Sequence, residues 1–249
     1  MEKKLDIIII NPADYRHNKI SEHLGIASLV SYIKHKGFTA DYLDLSIEPF
    51  NNEEVVRKII EINPLMVGVS MLDETKIRGL LLVKELRSAG FKGGIVVGGY
   101  FPTFSAERIL KDFPEIDYVA RGEGEETLYE LLKYQSDPEN NQLEEILGLS
   151  YRNNGRVVEN APRPLINNLD ILPPVERKYA KQILSGGEAL RISATRGCWG
   201  SCTFCDIIGL YKTSKGKAWR RRTSANVIDE ISSLIKTYKT NHFIFNDDQ

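Results

Sequence analysis

Over the first 136 residues, short apolar runs alternate with segments of helical periodicity. Residues 5–10 (LDIIII) are apolar at consecutive positions and read as a strand buried on both faces. In residues 24–36 the apolar positions Ile26, Leu29, Val30 and Ile33 follow helical spacing. Residues 38–45 predict a second strand, and Asn51 or Asn52 can cap a helix reaching residue 61. A third strand at 65–70 precedes a helix at 74–89, which stops where Gly90 can take a left-handed conformation. A strand at 95–97, a helix at 104–113, a strand at 117–120 and a helix at 125–134 complete the series. Five βα units in a row specify a parallel, doubly wound α/β sheet with right-handed crossovers. Such a sheet binds ligands beyond the carboxyl ends of its strands, here the loops 11–25, 70–75, 98–103 and 121–125.

Beyond residue 139 the pattern loosens. Residues 148–152 and 156–159 flank Asn153-Asn154-Gly155, a hairpin turn signal. Prolines 162, 164, 173 and 174 make the following stretch extended and stiff. A strand at 189–194, a helix capped by Thr223 or Ser224 and a strand at 242–245 then begin a second unit. The expected division is 1–139 for the first domain, 140–188 for a hairpin and linker, and 189–249 for the start of the second domain. Lys212, Lys215, Lys217, Arg220, Arg221 and Arg222 form a basic run, read as a solvated loop, with a phosphate grip as the alternative.

Composition narrows the classes. A net charge of −1 argues against bulk electrostatic attraction to nucleic acid or an anionic membrane. The sequence has no apolar run long enough to span a bilayer and no secretory leader, so a cytoplasmic protein is expected. The 3 cysteines, Cys198, Cys202 and Cys205, all fall within residues 198–205, spaced C-x3-C-x2-C. A disulfide with an odd thiol sits poorly with a reducing compartment. A closed zinc site needs a fourth ligand, and none of His17, His23, His35 and His242 lies beside the cysteines. Three thiolates on a glycine-containing loop suit an iron–sulfur cluster with one iron left open.

With the aromatic Phe204 before its last cysteine, this loop resembles the signature of radical S-adenosylmethionine enzymes. The resemblance implies a [4Fe-4S] cluster whose open iron chelates S-adenosylmethionine and cleaves it to a 5′-deoxyadenosyl radical. It also implies a partial TIM barrel, an electron donor such as flavodoxin or ferredoxin, and a methionine moiety approached by Phe204, Asp247 and Asp248. Gly186-Gly187-Glu188 spells a motif of the same family but precedes the first barrel strand, and reads as a loop. A full barrel needs further βα units, so an amino-terminal portion of a longer enzyme is expected.

The first domain carries a second resemblance. Ser70-Met71-Leu72 after the third strand and Gly98-Gly99 after the fourth are similar to elements of Rossmann-like, flavodoxin-like cobalamin-binding domains. There the serine sits near the buried nucleotide tail and the glycines let backbone pass close to it. Gly99-Tyr100-Phe101-Pro102-Thr103 and Arg121-Gly122-Glu123-Gly124-Glu125 resemble further segments of cobalamin-type radical enzymes, adding Tyr100, Thr103, Gly122, Glu123 and Gly124 to the expected contacts. No G-x-G-x-x-G follows the first strand, which disfavours a dinucleotide. The D-x-H-x-x-G motif that supplies a lower cobalt ligand elsewhere is absent. Asp14–His17 and Ser21–Gly25 are near misses, and His23 reads as a polar residue opening a helix.

Together these resemblances imply a cobalamin-dependent radical enzyme, first of all a methyltransferase acting on an unactivated carbon of a small-molecule or natural-product substrate. The alternatives are a radical cyclase or rearrangement enzyme with the same cofactors, and a non-catalytic cobalamin- or cluster-binding fragment.

Overall fold

The computed structural model describes residues 5–12, 21–48 and 50–248, so the near miss at Asp14–His17 lies outside the described residues. In chain order the first unit is β1 (Ile7–Asn11), α1 (Leu24–His35), β2 (Ala40–Asp44), α2 (Asn52–Ile62), β3 (Met66–Ser70) and α3 (Lys76–Ser88). It continues with β4 (Gly94–Gly98), α4 (Tyr100–Asp112), β5 (Tyr118–Ala120) and α5 (Glu125–Ser136), then the hairpin β6 (Leu149–Asn153) and β7 (Arg156–Glu159). The second unit holds α6 (Ala180–Ser185), β8 (Leu190–Ile192), β9 (Thr195–Arg196), α7 (Asp206–Lys212), β10 (Arg220–Arg221), α8 (Ser224–Tyr238) and β11 (Phe243–Phe245).

The main sheet runs β2-β1-β3-β4-β5-β6-β7. Its first five strands are parallel in the flavodoxin-like order, with the topological switch between β1 and β3. The continuous isoleucines of β1 have a simple cause. Ile7 and Ile9 pack with Ile26, Val30 and Ile33 of α1 and with Leu128, Leu131 and Leu132 of α5. Ile8 and Ile10 face the other way, onto a layer built from α2, α3 and α4. Both faces are covered, so both alternations must be apolar; each fully buried isoleucine stabilises the fold by about 1.5–3 kcal/mol. Asn51 caps α2 in a reciprocal capping box with Glu54, as the sequence suggests.

Three local features depart from the sequence reading. The hairpin expected inside the connecting segment extends the main sheet, β6 pairing antiparallel with β5. Helix α4 begins at Tyr100 and not near residue 104; it bends at Ser105 (φ −126°, ψ 18°), so its first turn reaches back to the end of β4. The short helices α6 and α7 were missed because neither is long enough to display a periodic apolar face.

The second unit starts with β8 and β11 as parallel neighbours, the pairing a βαβ unit requires. It shares a core with the first: Tyr179, Ala180, Ile183, Leu190, Ile192 and Leu234 belong to the same hydrophobic cluster as α1 and α5. The cysteine loop is thereby held beyond the strand ends of the main sheet.

Candidate functional site

A cavity of about 820 Å3 opens over the carboxyl ends of β3, β4 and β5. That is near the upper end of the roughly 300–1,000 Å3 seen for ligand pockets. Its floor is made of small residues, Gly68, Ser70, Gly98, Gly99 and Ala120, with apolar walls from Ile9, Val69, Val96, Val97 and Leu128. At Gly99 the backbone takes φ 101° and a Cβ would stand 2.7 Å from the Met71 carbonyl oxygen, so only glycine fits this turn. The opposite wall belongs to the second unit, through Ser193, Thr195, Arg196, Leu210 and Tyr211.

Of the residues expected to contact cobalamin, Ser70, Leu72, Gly98, Gly99, Tyr100, Gly122, Glu123 and Gly124 line this cavity. Thr103 lies outside it, against a smaller cleft. Its hydroxyl donates to the Gly99 carbonyl at 2.7 Å and accepts from the Gly122 N–H at 3.1 Å, bracing the loops after β4 and β5 together. Glu123 reaches the wall, but its carboxylate is engaged by arginines of the second unit: Arg196 Nη1 at 3.2 Å and Arg220 Nη1 at 2.9 Å. Tyr100 packs beside Leu210 and Tyr211 of α7, and burial raises its phenol well above the usual range. Burial likewise pushes Tyr211 up to about 12.

His23 is the N-cap of α1 and lines the cavity. Burial lowers its pKa, with Asp44 opposing, so the ring is neutral at pH 7. Its Nδ1 accepts from the Ile26 N–H at 3.3 Å, which places the ring proton on Nε2. The imidazole thus offers a donor and no ligating lone pair at Nε2, in keeping with a helix-opening role. Asp44 fixes the approach to it, accepting from the His23 N–H at 3.3 Å and from Asn11 Nδ2 at 2.8 Å.

The three cysteines follow β9 and end at the N-terminus of α7. Cys198 and Cys205 are half-buried and Cys202 is exposed. A Cβ on Gly200 would lie 3.2 Å from Cys198 Sγ and 3.9 Å from Cys202 Sγ, so both sulfurs border that glycine. The Gly200 N–H donates to Cys198 Sγ at 3.2 Å. Among the described residues no three Cys, His, Asp or Glu side chains already converge as a metal site. The loop supplies soft donors, backbone N–H groups and an open rim, the donor chemistry that an iron–sulfur cluster needs.

Phe204 is 88% exposed and Asp247 stands off the cavity, while Asp248 lines it. Both aspartates brace the cysteine loop: Asp247 Oδ1 accepts from the Ala194 and Thr195 N–H groups at 2.8 Å, and Asp248 Oδ2 from the Gly197 N–H at 2.9 Å. The basic run divides in two. Arg220 is buried on Glu123 and Arg222 pairs with Glu230 at 2.5 Å, so both take part in internal ion pairs. Lys212, Lys215, Lys217 and Arg221 are not buried. Gly186-Gly187-Glu188 closes α6 as a turn, with Gly187 at φ 81°.

Sequence reasoning missed Arg177 and Arg196. Arg177 is buried between Glu22 and Glu230; Arg196 joins Glu123 to Glu125, with Glu125 Oε1 at 2.6 Å. Burial by itself would raise the Glu125 carboxyl, but Arg196 overrides it and holds it below the usual carboxylate range. The pairing of glutamates and arginines far apart in the chain leaves no periodic signal.

Residues 18–132 match the model of the B12-binding domain family. The chain is 31% identical over 232 residues to an uncharacterized methyltransferase of Pyrococcus horikoshii, covering 90% of this chain and 48% of that protein. It is 28% identical over 222 residues to an anaerobic magnesium-protoporphyrin IX monomethyl ester cyclase of Synechocystis sp., covering 86% of this chain and 43% of the cyclase. The chain thus spans less than half the length of these curated relatives. Among solved structures, the cobalamin-dependent S-adenosylmethionine radical enzyme OxsB, with aqua-cobalamin and S-adenosylmethionine bound, superposes with a TM-score of 0.82 at 21% identity, over 99% of this chain and 34% of that one. The radical S-adenosylmethionine methyltransferase TsrM from Kitasatospora setae does so with a TM-score of 0.76 at 20% identity, over 99% of this chain and 48% of that one. Residues 18–132 are therefore similar to the B12-binding domain family, and the chain shares its fold along its length with the cobalamin-dependent radical enzyme OxsB and the radical methyltransferase TsrM.

Proposed function

We propose that this chain is the cofactor-binding part of a cobalamin-dependent radical S-adenosylmethionine methyltransferase acting on an unactivated carbon of a small molecule. The observation that carries the reading is the cavity over β3, β4 and β5, floored by small residues and walled on its far side by the segment that leads into the cysteine loop. Residues 1–139 would hold cobalamin, with the hairpin β6–β7 extending their sheet, and residues 189–249 the cluster and S-adenosylmethionine. Cys198, Cys202 and Cys205 would ligate the [4Fe-4S] cluster. Ser70, Gly98 and Gly99 would admit the buried tail of cobalamin, because side chains larger than these would fill the floor. Bound together, these groups supply one-electron reduction, radical generation and methyl carriage; the protein supplies placement and electrostatics. Tyr100, Leu210 and Tyr211 would keep water from the space between the two sites. A flavodoxin- or ferredoxin-type donor and a reducing, cytoplasmic setting fit a cluster of this kind.

A second reading, radical ring closure, has the support of the cyclase relatives. Anaerobic reconstitution of the wild-type chain with iron, sulfide and hydroxocobalamin is expected to give both a cluster and bound cobalamin, read from iron content and visible spectra. Replacing all three cysteines with alanine should abolish the iron and spare the cobalamin. A wild-type chain that retains no cobalamin refutes the proposal. With the full-length enzyme, a product heavier by one CH2 separates methylation from ring closure.

A further inference from the structure

Glu123 sits in the loop between β5 and α5, its side chain only 7% exposed, and it meets the second unit at two arginines and the connecting segment at one backbone N–H. Its Oε1 takes Arg196 Nη1 at 3.2 Å. Both its oxygens take Arg220 Nη1 at 2.9 Å, and Oε2 also accepts from the Ile166 N–H at 2.8 Å. Arg196 continues to Glu125 Oε1 at 2.6 Å and Ser28 Oγ at 3.4 Å. The Arg220 guanidinium lies over the Tyr211 ring at 4.9 Å. Arg196 comes just before Cys198, and Tyr211 lies on α7, which starts immediately after Cys205. The cysteine loop therefore leaves and returns against one carboxylate of the first unit.

Stability alone is a poor account of such an arrangement. A buried ion network is often no more stable than an apolar replacement of the same volume, because desolvating the charges offsets their attraction. What the network does specify is geometry, since each guanidinium accepts only certain positions of its partners. We propose that Glu123, with Glu125, Arg196 and Arg220, is a positioning device that sets the cysteine loop against the cavity and tunes the charge around it. This rests on the functional reading above, in that it assumes the three cysteines hold a cluster. Two carboxylates face two guanidiniums, so losing any one leaves an uncompensated charge beside the loop. A positive excess favours the reduced, more negative cluster, and a negative excess disfavours it.

The test uses the reconstituted full chain and its Glu123→Gln, Arg196→Gln and Glu123→Gln/Arg196→Gln variants, with reduction potential and EPR spectrum of the cluster as readouts and circular dichroism as the folding control. Glu123→Gln is expected to shift the potential positive and Arg196→Gln to shift it negative, with the double variant near the wild type. Both single variants should hold iron more weakly, by about 10–100-fold as for other outer-shell partners of metal sites. Opposed shifts would not follow from loosened packing alone. If Glu123→Gln does not fold, Glu125→Gln and Arg220→Gln give the same opposed pair. Folded variants with the wild-type potential, spectrum and iron affinity overturn the inference. A wild-type chain that takes up no iron overturns the functional reading, and this inference with it.

Discussion

Removing the Arg177 guanidinium should destabilise the protein by far more than a surface substitution. Arg177 follows Pro173-Pro174 and holds three partners: Glu22, Glu230 Oε1 at 2.7 Å and the Arg191 carbonyl at 2.8 Å. The three charged side chains are 6%, 1% and 8% exposed, so solvent screens them little. Arg177→Ala leaves two buried carboxylates, of which Glu230 keeps Arg222 and Glu22 loses its ion-pair partner. Breaking a buried pair from one side costs about 3–5 kcal/mol, a fall of about 6–20 °C in Tm for a domain of this size. The pH dependence carries a second sign. Burial raises the Glu22 carboxyl above its ordinary range, and Arg177 pulls it back. A raised carboxyl contributes stability that is complete below the unfolded value and is lost as pH rises through the folded one. Without Arg177 the folded value climbs further, so the deficit of the variant should be smaller near about pH 5 than near about pH 8. Adding Glu22→Gln should recover part of the loss at the higher pH. Thermal unfolding followed by circular dichroism measures both effects. A deficit below about 1 kcal/mol, or one that does not vary across this range, would refute the reasoning.

Two further predictions concern the cysteine loop. Gly197 has φ 80°, and a Cβ there would stand 1.8 Å from the Ala218 carbonyl oxygen. Gly197→Ala should therefore cost about 2–5 kcal/mol in backbone strain and overpacking and lower iron uptake, whereas Gly187→Ala, at φ 81° with open space around it, should cost about 1–2 kcal/mol and leave iron uptake unchanged. Asp247→Ala removes the acceptor for the Ala194 and Thr195 N–H groups, while Asp247→Asn keeps an oxygen there. The alanine variant should lose about 1.5–3 kcal/mol and the asparagine variant about half of that; equal losses in chemical denaturation would remove Asp247 from its bracing role.

What could be read without coordinates was whatever is local in the chain. Ile7 to Ile10 are apolar on both alternations because both faces of a parallel strand are buried, and that requirement is written in consecutive residues. Asn51 and Glu54 form their capping box within a single turn. Cys198, Cys202 and Cys205 all fall within residues 198–205, so their grouping is local in the chain, as is the Gly98-Gly99 turn with its positive φ beside Met71. Tertiary structure decided the rest. Nothing in the sequence says that Thr103 braces two loops outside the cavity, that the β6–β7 hairpin joins the main sheet, or that Arg220 is buried while Arg221 is exposed. Nor does it pair Glu123 with Arg196 and Arg220, or Glu22 with Arg177. A charged residue looks the same in a chain whether it ends in water or against a distant partner. Which of the two happens depends on how segments distant in the chain meet, and periodicity and spacing carry no information about that contact.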